Sequence, residues 1–203
     1  MIIKVCGMRE AENIRAADAL PIQMMGFIFY PKSTRYVAKR PEYLPRNARR
    51  VGVFVDEEAN HILRIAEEYG LDYIQLHGHE SPELCRQLTA NGLGVIKTIS
   101  VSAAEDFAPA SQYESSCAFL LFDTQTPQYG GSGKPFNWDL LQHYRGETPF
   151  LLSGGISPQD AERIQNLSHP RWAGIDLNSR FESSPGHKEI KRLSDFIHRI
   201  NHP

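Results

Sequence analysis

Ile2-Ile3-Lys4-Val5-Cys6-Gly7-Met8-Arg9 is the stretch on which the fold turns. Its opening, Ile2–Cys6, is a short β-branched apolar run, the pattern of a strand covered on both faces. The residues just after this run separate two architectures. A dinucleotide-binding sheet places G-x-G-x-x-G directly after its first strand, for a tight turn and a close backbone approach to a pyrophosphate. This chain has Cys6-Gly7-Met8-Arg9 there, and its glycine-rich segments, Gly130–Gly133 and Ser153-Gly154-Gly155, come much later.

Outward from that stretch, seven similar runs occur: Met25–Phe29, Arg50–Val55, Tyr73–His77, Val95–Ile99, Phe119–Asp123, Phe150–Ser153 and Gly174–Leu177. Amphipathic segments separate most of them, the signature of parallel βα units. Between Glu57 and Tyr69, for example, Ile62, Leu63, Ile65, Ala66 and Tyr69 recur at helical spacing, with Glu58, Arg64, Glu67 and Glu68 on the other side. Ser81-Pro82 and Ser157-Pro158 each set an N-cap hydroxyl before a proline at the first helical position, and Ser102-Ala103-Ala104-Glu105 is a candidate capping box. Pro31, Pro41 and Pro45 leave the second crossover room for one short helix near Glu42–Leu44 and predict a long functional loop there. Eight strands with crossovers fit an open doubly wound sheet or a closed barrel, which periodicity does not separate. Glycines after strands six and seven, where barrels often hold a phosphate, favour an α/β fold of the second kind: a compact, single-domain (β/α)8 TIM barrel over residues 1–203.

Composition bounds the function. With 41% hydrophobic and 23% charged residues, 203 residues bury one core without disulfides or a structural metal. A net charge of −2 and no Lys/Arg block exclude a nucleic-acid footprint. No apolar run approaches the roughly 18 residues of a membrane helix, and the opening residues do not read as a signal peptide. Cys6, Cys85 and Cys117 have no CxxC spacing, which argues against a disulfide framework and a zinc ribbon and fits a reducing cytoplasm. A start on a strand and an end in a helical pattern suggest a stand-alone protein, expected as a monomer or homodimer that binds neither nucleic acid nor membrane.

In a barrel the active site lies at the C-terminal ends of the strands. The residues there are polar: Cys6, Lys32-Ser33-Thr34-Arg35, Asp56, Gln75-x-His77, Lys97, Asp123, Ser153-Gly154-Gly155 and Asp176-x-Asn178-Ser179. Taken singly, each has an ordinary use, Cys6 as a small buried hydrophobe, Asp123 as a turn cap and Arg35 as a solvated loop residue. His77-Gly78-His79-Glu80 brings donors close in sequence, but alternate strand residues diverge and no third ligand stands at fixed spacing, so no metal is expected and His77 is a pocket candidate only. Gly-Ser-Gly-Lys-Pro is not a Walker A motif, because Gln128 stands at the first glycine position and Pro135 comes after the lysine.

Seven phrases carry a resemblance. Lys4-Val5-Cys6-Gly7, Gly26-Phe27-Ile28-Phe29-Tyr30-Pro31-Lys32-Ser33-x-Arg35 and Gln75-Leu76-His77-Gly78 are succeeded by Phe122-Asp123-Thr124 and Gly130-Gly131-Ser132-Gly133-Lys134-x-Phe136-x-Trp138. Leu152-Ser153-Gly154-Gly155-Ile156 and Glu182-Ser183-Ser184-Pro185-Gly186-x-Lys188 complete the set. In this order, across nearly the whole chain, they resemble the phosphoribosylanthranilate isomerase family of tryptophan biosynthesis. The resemblance implies an Amadori rearrangement of a phosphoribosyl aminoaldose to its aminoketose. Asp123 would be the acid that protonates the ring oxygen and Cys6 the base that takes the C2 proton. Arg35 would grip the substrate carboxylate. The phosphate would rest on amides around Gly131, Gly133, Gly154, Gly155 and the Asn178-Ser179 turn. The substrate nitrogen supplies the electron sink, so no cofactor is expected.

Arg180 and Phe181 depart from the glycine and small aliphatic residue common in the family, and are expected to tighten anion binding or narrow the mouth; Arg180 is left outside the site. Two rival readings stand beside the isomerase: a barrel acting on the related histidine-pathway aminoaldose, which would use paired aspartates and is disfavoured by Cys6, and a non-catalytic phosphate-ligand-binding barrel.

Overall fold

Each of the eight apolar runs forms a strand in the computed structural model, which describes residues 1–124 and 137–202. β1 (Ile2–Val5), β2 (Met24–Ile28), β3 (Arg49–Phe54), β4 (Tyr73–Leu76), β5 (Gly94–Val101), β6 (Phe119–Thr124), β7 (Phe150–Leu152) and β8 (Trp172–Leu177) pair in parallel in chain order. β8 then pairs with β1, Lys4 opposite Asp176 and Val5 opposite Leu177, so the sheet closes into a barrel. Closure decides what periodicity left open. Side chains alternate along each strand. Met24, Val51, Ile96, Leu121 and Leu151 turn inward as a small lumen core. Neighbours such as Met25, Phe27, Ile74, Leu120, Phe122 and Leu152 turn outward into the larger shell under the helices. Each fully buried Leu or Phe there is worth about 1.5–3 kcal/mol, so the outer shell carries most of the stability.

The helices are α1 (Ala11–Asp18), α2 (Ala59–Tyr69), α3 (Pro82–Ala90), α4 (Ala161–Gln165) and α5 (Ile190–Asn201). α2 buries Ile62, Ile65, Ala66 and Tyr69, the face its spacing predicts, and stops at Gly70, whose φ of +58° is the left-handed cap that glycine accommodates. Ser81 caps α3 by accepting the Leu84 amide at 3.3 Å. One cap expectation needs correcting. At 102–106 the carboxylate that reaches back is Asp106, not Glu105; it accepts from the Ser102 amide and hydroxyl and the Ala103 amide. Ser157 is the N-cap before Pro158, as expected, and its amide and hydroxyl both donate to the Asp160 carboxylate.

The connection from 29 to 48 carries no helix, so the short helix expected near Glu42–Leu44 is absent. Its far end is organised by one carboxylate instead. Asp18, at the end of α1, accepts the amides of Arg46, Asn47 and Ala48 and the Tyr43 hydroxyl. Burial pushes the Asp18 carboxyl up, but these donors outweigh it and hold its pKa below the usual value. The crossover after β5 holds a 3-10 segment, Ala104–Tyr113, and the described part of that after β6 another, Trp138–His143. Beyond β8, the hairpin of β9 (Glu182–Ser184) and β10 (His187–Lys188) carries Glu182 and Lys188 back toward the end of β1. Among the described residues no helix is long and apolar enough to cross a membrane.

Candidate active site

Alternation along β1 points Lys4 into the lumen, and Cys6, two residues on at the strand's end, lies on the same side. Lys4 is fully buried and its Nζ donates to Asp176 Oδ1 at 2.8 Å from the adjoining β8. The same ammonium is close enough to the Cys6 thiol for the two to interact electrostatically. Burial works against a charged Lys4, yet Asp176 and Cys6 outweigh it and its pKa lies above the ordinary lysine value. Burial and Asp123 push the Asp176 carboxyl up against the pull of Lys4. The direction that governs the pair is that of Lys4, because its nitrogen donates directly to the Asp176 carboxylate. For Cys6, burial raises the thiol pKa above its ordinary value; Lys4 and Lys188 pull it down without outweighing burial, and Asp176 pushes it further up. The sulfur fits only because residue 26 is glycine: a Cβ there would sit 2.7 Å from Sγ.

A second cluster flanks the thiol. Arg35 Nε and Nη2 donate to the Glu182 carboxylate at 2.9 and 2.6 Å, and Lys188 Nζ donates to the same carboxylate at 2.6 Å and to Asn178 Oδ1 at 3.0 Å. Burial raises the Glu182 pKa, but the two cations outweigh it and hold the carboxyl below its usual range. Glu182 thus takes the Nε–Nη2 edge of the Arg35 guanidinium, and among the described residues no acceptor meets Nη1. Gly7, with φ +77°, lets this cluster close on the strand end: a Cβ there would meet Arg35 Cδ at 2.7 Å and Asn178 Oδ1 at 2.8 Å.

Across the lumen, Asp123 ends β6 on the inward face shared with Leu121. His77 Nε2 lies 3.5 Å from Asp123 Oδ2. The His77 Nδ1 faces the Gln75 amide nitrogen at 3.1 Å and the Thr98 hydroxyl at 3.3 Å. With the Gln75 N–H donating, Nδ1 is the acceptor and the ring proton sits on Nε2, toward Asp123. Asp176 joins the two sides, since it interacts electrostatically with Lys4 and Cys6 on one and with Asp123 and His77 on the other. Cys6 directly after β1 and Asp123 on the inward face of β6 thus stand at the same end of the closed barrel.

Of the phosphate candidates, Gly154 and Gly155 come after β7 with φ of +84° and +72°, conformations that need glycine. A Cβ at Gly155 would meet nothing, so that backbone borders open space. Ser179 is exposed at the start of a short 3-10 turn, Ser179–Phe181. The Asn178 side chain is drawn instead to Lys188, whose Nζ donates to its Oδ1 at 3.0 Å, and its carbonyl accepts from the Phe181 amide at 3.1 Å. Gly131 and Gly133 lie outside the described residues.

Several strand-end residues are not brought to the lumen. Lys97 turns outward, where it donates to Glu80 at 3.0 Å and to the carbonyls of Leu76 and Gly78, tying down the turn after β4. Asp56 and His79 pair with each other at the exposed rim. Phe181 does not narrow the mouth; it is buried against Phe196 of α5, with ring centroids 5.0 Å apart, while Arg180 is exposed. Among the described residues no group of His, Cys, Asp and Glu is arranged to hold a metal ion. Sequence reasoning missed Lys4, Glu182 and Lys188 as members of the site. A signal existed for Lys4: a lysine in the middle of an otherwise apolar strand needs a buried partner.

The family model for N-(5'phosphoribosyl)anthranilate (PRA) isomerase matches residues 3–199. The chain is 54% identical over 200 residues to N-(5'-phosphoribosyl)anthranilate isomerase of Phocaeicola vulgatus, covering 98% of each chain. It is 39% identical over 201 residues to the same enzyme of Thermotoga maritima, covering 96% of each. A solved structure of the Thermotoga maritima isomerase superposes with a TM-score of 0.83 at 35% identity over 100% of both chains. Another isomerase, solved with reduced 1-(o-carboxyphenylamino)-1-deoxyribulose 5-phosphate, superposes with a TM-score of 0.82 at 32% identity, again over 100% of both. With a matching family model along almost its full length and relatives at this identity, the chain belongs to the N-(5'-phosphoribosyl)anthranilate isomerase family.

Proposed function

We propose that this chain catalyses the Amadori rearrangement of N-(5-phosphoribosyl)anthranilate to 1-(2-carboxyphenylamino)-1-deoxyribulose 5-phosphate in tryptophan biosynthesis, with Asp123 as general acid and Cys6 as general base. Asp123 gives a proton to the ring oxygen as the C1–O bond breaks, and the substrate nitrogen's lone pair forms the iminium. The Cys6 thiolate then removes the C2 proton, whose electrons neutralise the iminium and leave an enolamine; its tautomerisation gives the ketone. One proton leaves Asp123 and one arrives at Cys6, so substrate and product remain isomers and no redox partner or cofactor is needed.

The observation that carries this reading is that a thiol directly after β1 and a carboxyl on the inward face of β6 stand at the same end of one closed barrel. Supporting it, the Nη1–Nη2 edge of Arg35 suits two parallel hydrogen bonds to the anthranilate carboxylate. The amides at Gly154, Gly155, Asn178 and Ser179 suit the phosphate, with Gly131 and Gly133 completing that site. The whole chain acts as one catalytic unit, in the cytoplasm. The Thermotoga maritima relative is described as dimeric, and light scattering on this protein decides between homodimer and monomer.

The test is a fluorescence assay of the consumption of freshly generated substrate by metal-free protein. Cys6→Ala and Asp123→Asn are each expected to lower kcat by about 10²–10⁴-fold, the usual worth of a general acid or base, with an unchanged circular dichroism spectrum, while Arg35→Ala mainly raises KM. Turnover at the wild-type level in either of the first two overturns the assignment.

A further inference from the structure

The β9–β10 hairpin meets the barrel mouth through a pair of cross-strand partners, Glu182 and Lys188. Its turn includes Gly186, φ +86°, whose amide donates to Glu182 Oε1 at 3.1 Å. The backbone of Lys188 is fixed from below: its amide donates to Asn13 Oδ1 at 2.8 Å and its carbonyl accepts from Asn13 Nδ2 at 2.8 Å, so α1 sets where the side chain starts. That side chain is fully buried and ends on two acceptors, Glu182 Oε1 at 2.6 Å and Asn178 Oδ1 at 3.0 Å. Glu182 in turn holds Arg35, whose Nη2 donates to Oε2 at 2.6 Å. Asn178 opens the turn after β8. One nitrogen therefore has an arm to the guanidinium assigned to the substrate carboxylate and an arm to the turn assigned to its phosphate. The arms converge over Gly7, where a Cβ would stand 2.7 Å from Arg35 Cδ and 2.8 Å from Asn178 Oδ1. Stability does not account for such a lysine, since apolar residues of similar volume often hold a fold as well as a buried ion pair does. An apolar residue has no means of holding two acceptors from different elements at fixed distances.

We propose that Lys188 is a positioning residue for both ends of the substrate: through Glu182 it sets the direction of the Arg35 fork, and through Asn178 it sets the turn whose amides face the phosphate. This deepens the proposed function and rests on Arg35 taking the anthranilate carboxylate and the Asn178-Ser179 turn taking the phosphate. Lys188 is buried and touches no substrate atom; it acts only through its two acceptors. Both arms serve binding in the ground state and the transition state alike, so their loss appears mainly in KM. Cutting the Glu182 arm alone loosens the carboxylate end, because Lys188 keeps Asn178; removing Lys188 loosens both.

Two fragments report the ends separately as competitive inhibitors of turnover: N-methylanthranilate for the carboxylate end and inorganic phosphate for the other. Lys188→Met is expected to raise both Ki values by about threefold or more, the scale of one net hydrogen bond at each end, and KM by about tenfold, with kcat within about threefold. Glu182→Gln should raise the Ki of N-methylanthranilate by about threefold or more and hold that of phosphate within about twofold. Glu182→Gln/Lys188→Met leaves no stranded charge and replaces Lys188→Met should that variant fail to fold; relative to Glu182→Gln it should still raise the phosphate Ki by about threefold or more. Gly52→Ala, whose Cβ would press on Leu71 under the helices, controls for lost stability and should leave both Ki values at the wild-type level. A phosphate Ki unmoved in the folded Lys188 variants overturns the inference. So does a phosphate Ki raised as far by Glu182→Gln as by Lys188→Met, or both Ki values raised as far by Gly52→Ala. Failure of the underlying reading is seen separately, before any Lys188 variant is made, as wild-type protein that phosphate does not inhibit or an N-methylanthranilate Ki unmoved in Arg35→Ala.

Discussion

Gly26→Ala puts a single methyl group against the thiol, and the local geometry sets how much that matters. The new Cβ would lie 2.7 Å from Cys6 Sγ and 3.2 Å from Cys6 Cα. Non-bonded heavy atoms rest at about 3.5–4.0 Å, so the sulfur or its strand must retreat by about 1 Å. Overpacking of this kind costs about 1–3 kcal/mol of stability. A displacement of about 1 Å at a reacting atom costs about 10²-fold in rate, so kcat should fall by about 10–100-fold. Gly52→Ala is the matched control. It overpacks β3 on the opposite face, where the Cβ would lie 2.5 Å from Leu71 Cδ1 and 2.8 Å from Phe54 Cε2. That face packs under the helices, away from the lumen, so Gly52→Ala should lose comparable stability in urea titrations and keep kcat within about twofold. If Gly26→Ala turned over like wild type while destabilised to the same degree, or if Gly52→Ala lost as much kcat, the thiol would not be a confined, reacting group.

Glu182→Gln removes the carboxylate shared by Arg35 and Lys188 while preserving shape. Lys188 then remains a buried ammonium that still donates to Asn178 Oδ1, which should cost about 3 kcal/mol, the low end for stripping a partner from a buried ion, and KM should rise as Arg35 loses its anchor; unchanged urea midpoint and KM together would contradict the network. Because the Glu182 pKa is depressed, its stabilisation is full above the unfolded value of about 4.3 and is lost as pH falls through the folded one, so the gap between wild type and variant should close below about pH 4. Asp18→Asn weakens four donors' shared acceptor in the 29–48 connection and should cost about 2 kcal/mol at pH 7, again vanishing in acid because the Asp18 pKa is depressed; a pH-independent difference in thermal unfolding would refute the charge-based account.

Strands were the legible part of this fold because both faces of a barrel strand are covered, so Met24–Ile28 and Phe119–Thr124 are nearly continuous apolar runs that need no partner to be recognised. The connections were less legible, for two physical reasons. Where a side chain from elsewhere satisfies the backbone, as Asp18 does for Arg46, Asn47 and Ala48, no local pattern announces it. Where two carboxylates stand side by side, as Glu105 and Asp106 do, local chemistry does not say which one reaches back; here it is Asp106.

The site divides along the same line. Cys6 and Asp123 could be placed from the sequence because each ends an apolar run, and a barrel gathers its strand ends at one rim. Lys97 lies within an equally apolar run, yet it turns outward; the difference is parity, since Ile96 and Thr98 occupy the lumen positions on either side of it. The charges around the thiol needed a further fact. Lys4 and Asp176 are separated by 172 residues, and nothing local to either predicts the other. They meet because β8 returns to β1, and in the register that closure imposes Lys4 is the direct partner of Asp176. A closed barrel expected from sequence therefore carries more information than its fold class. It makes the first and last strands neighbours, so a lysine buried in one requires an acceptor at the matching height in the other. An open sheet of the same eight strands in chain order would leave Lys4 a buried charge without a counter-ion.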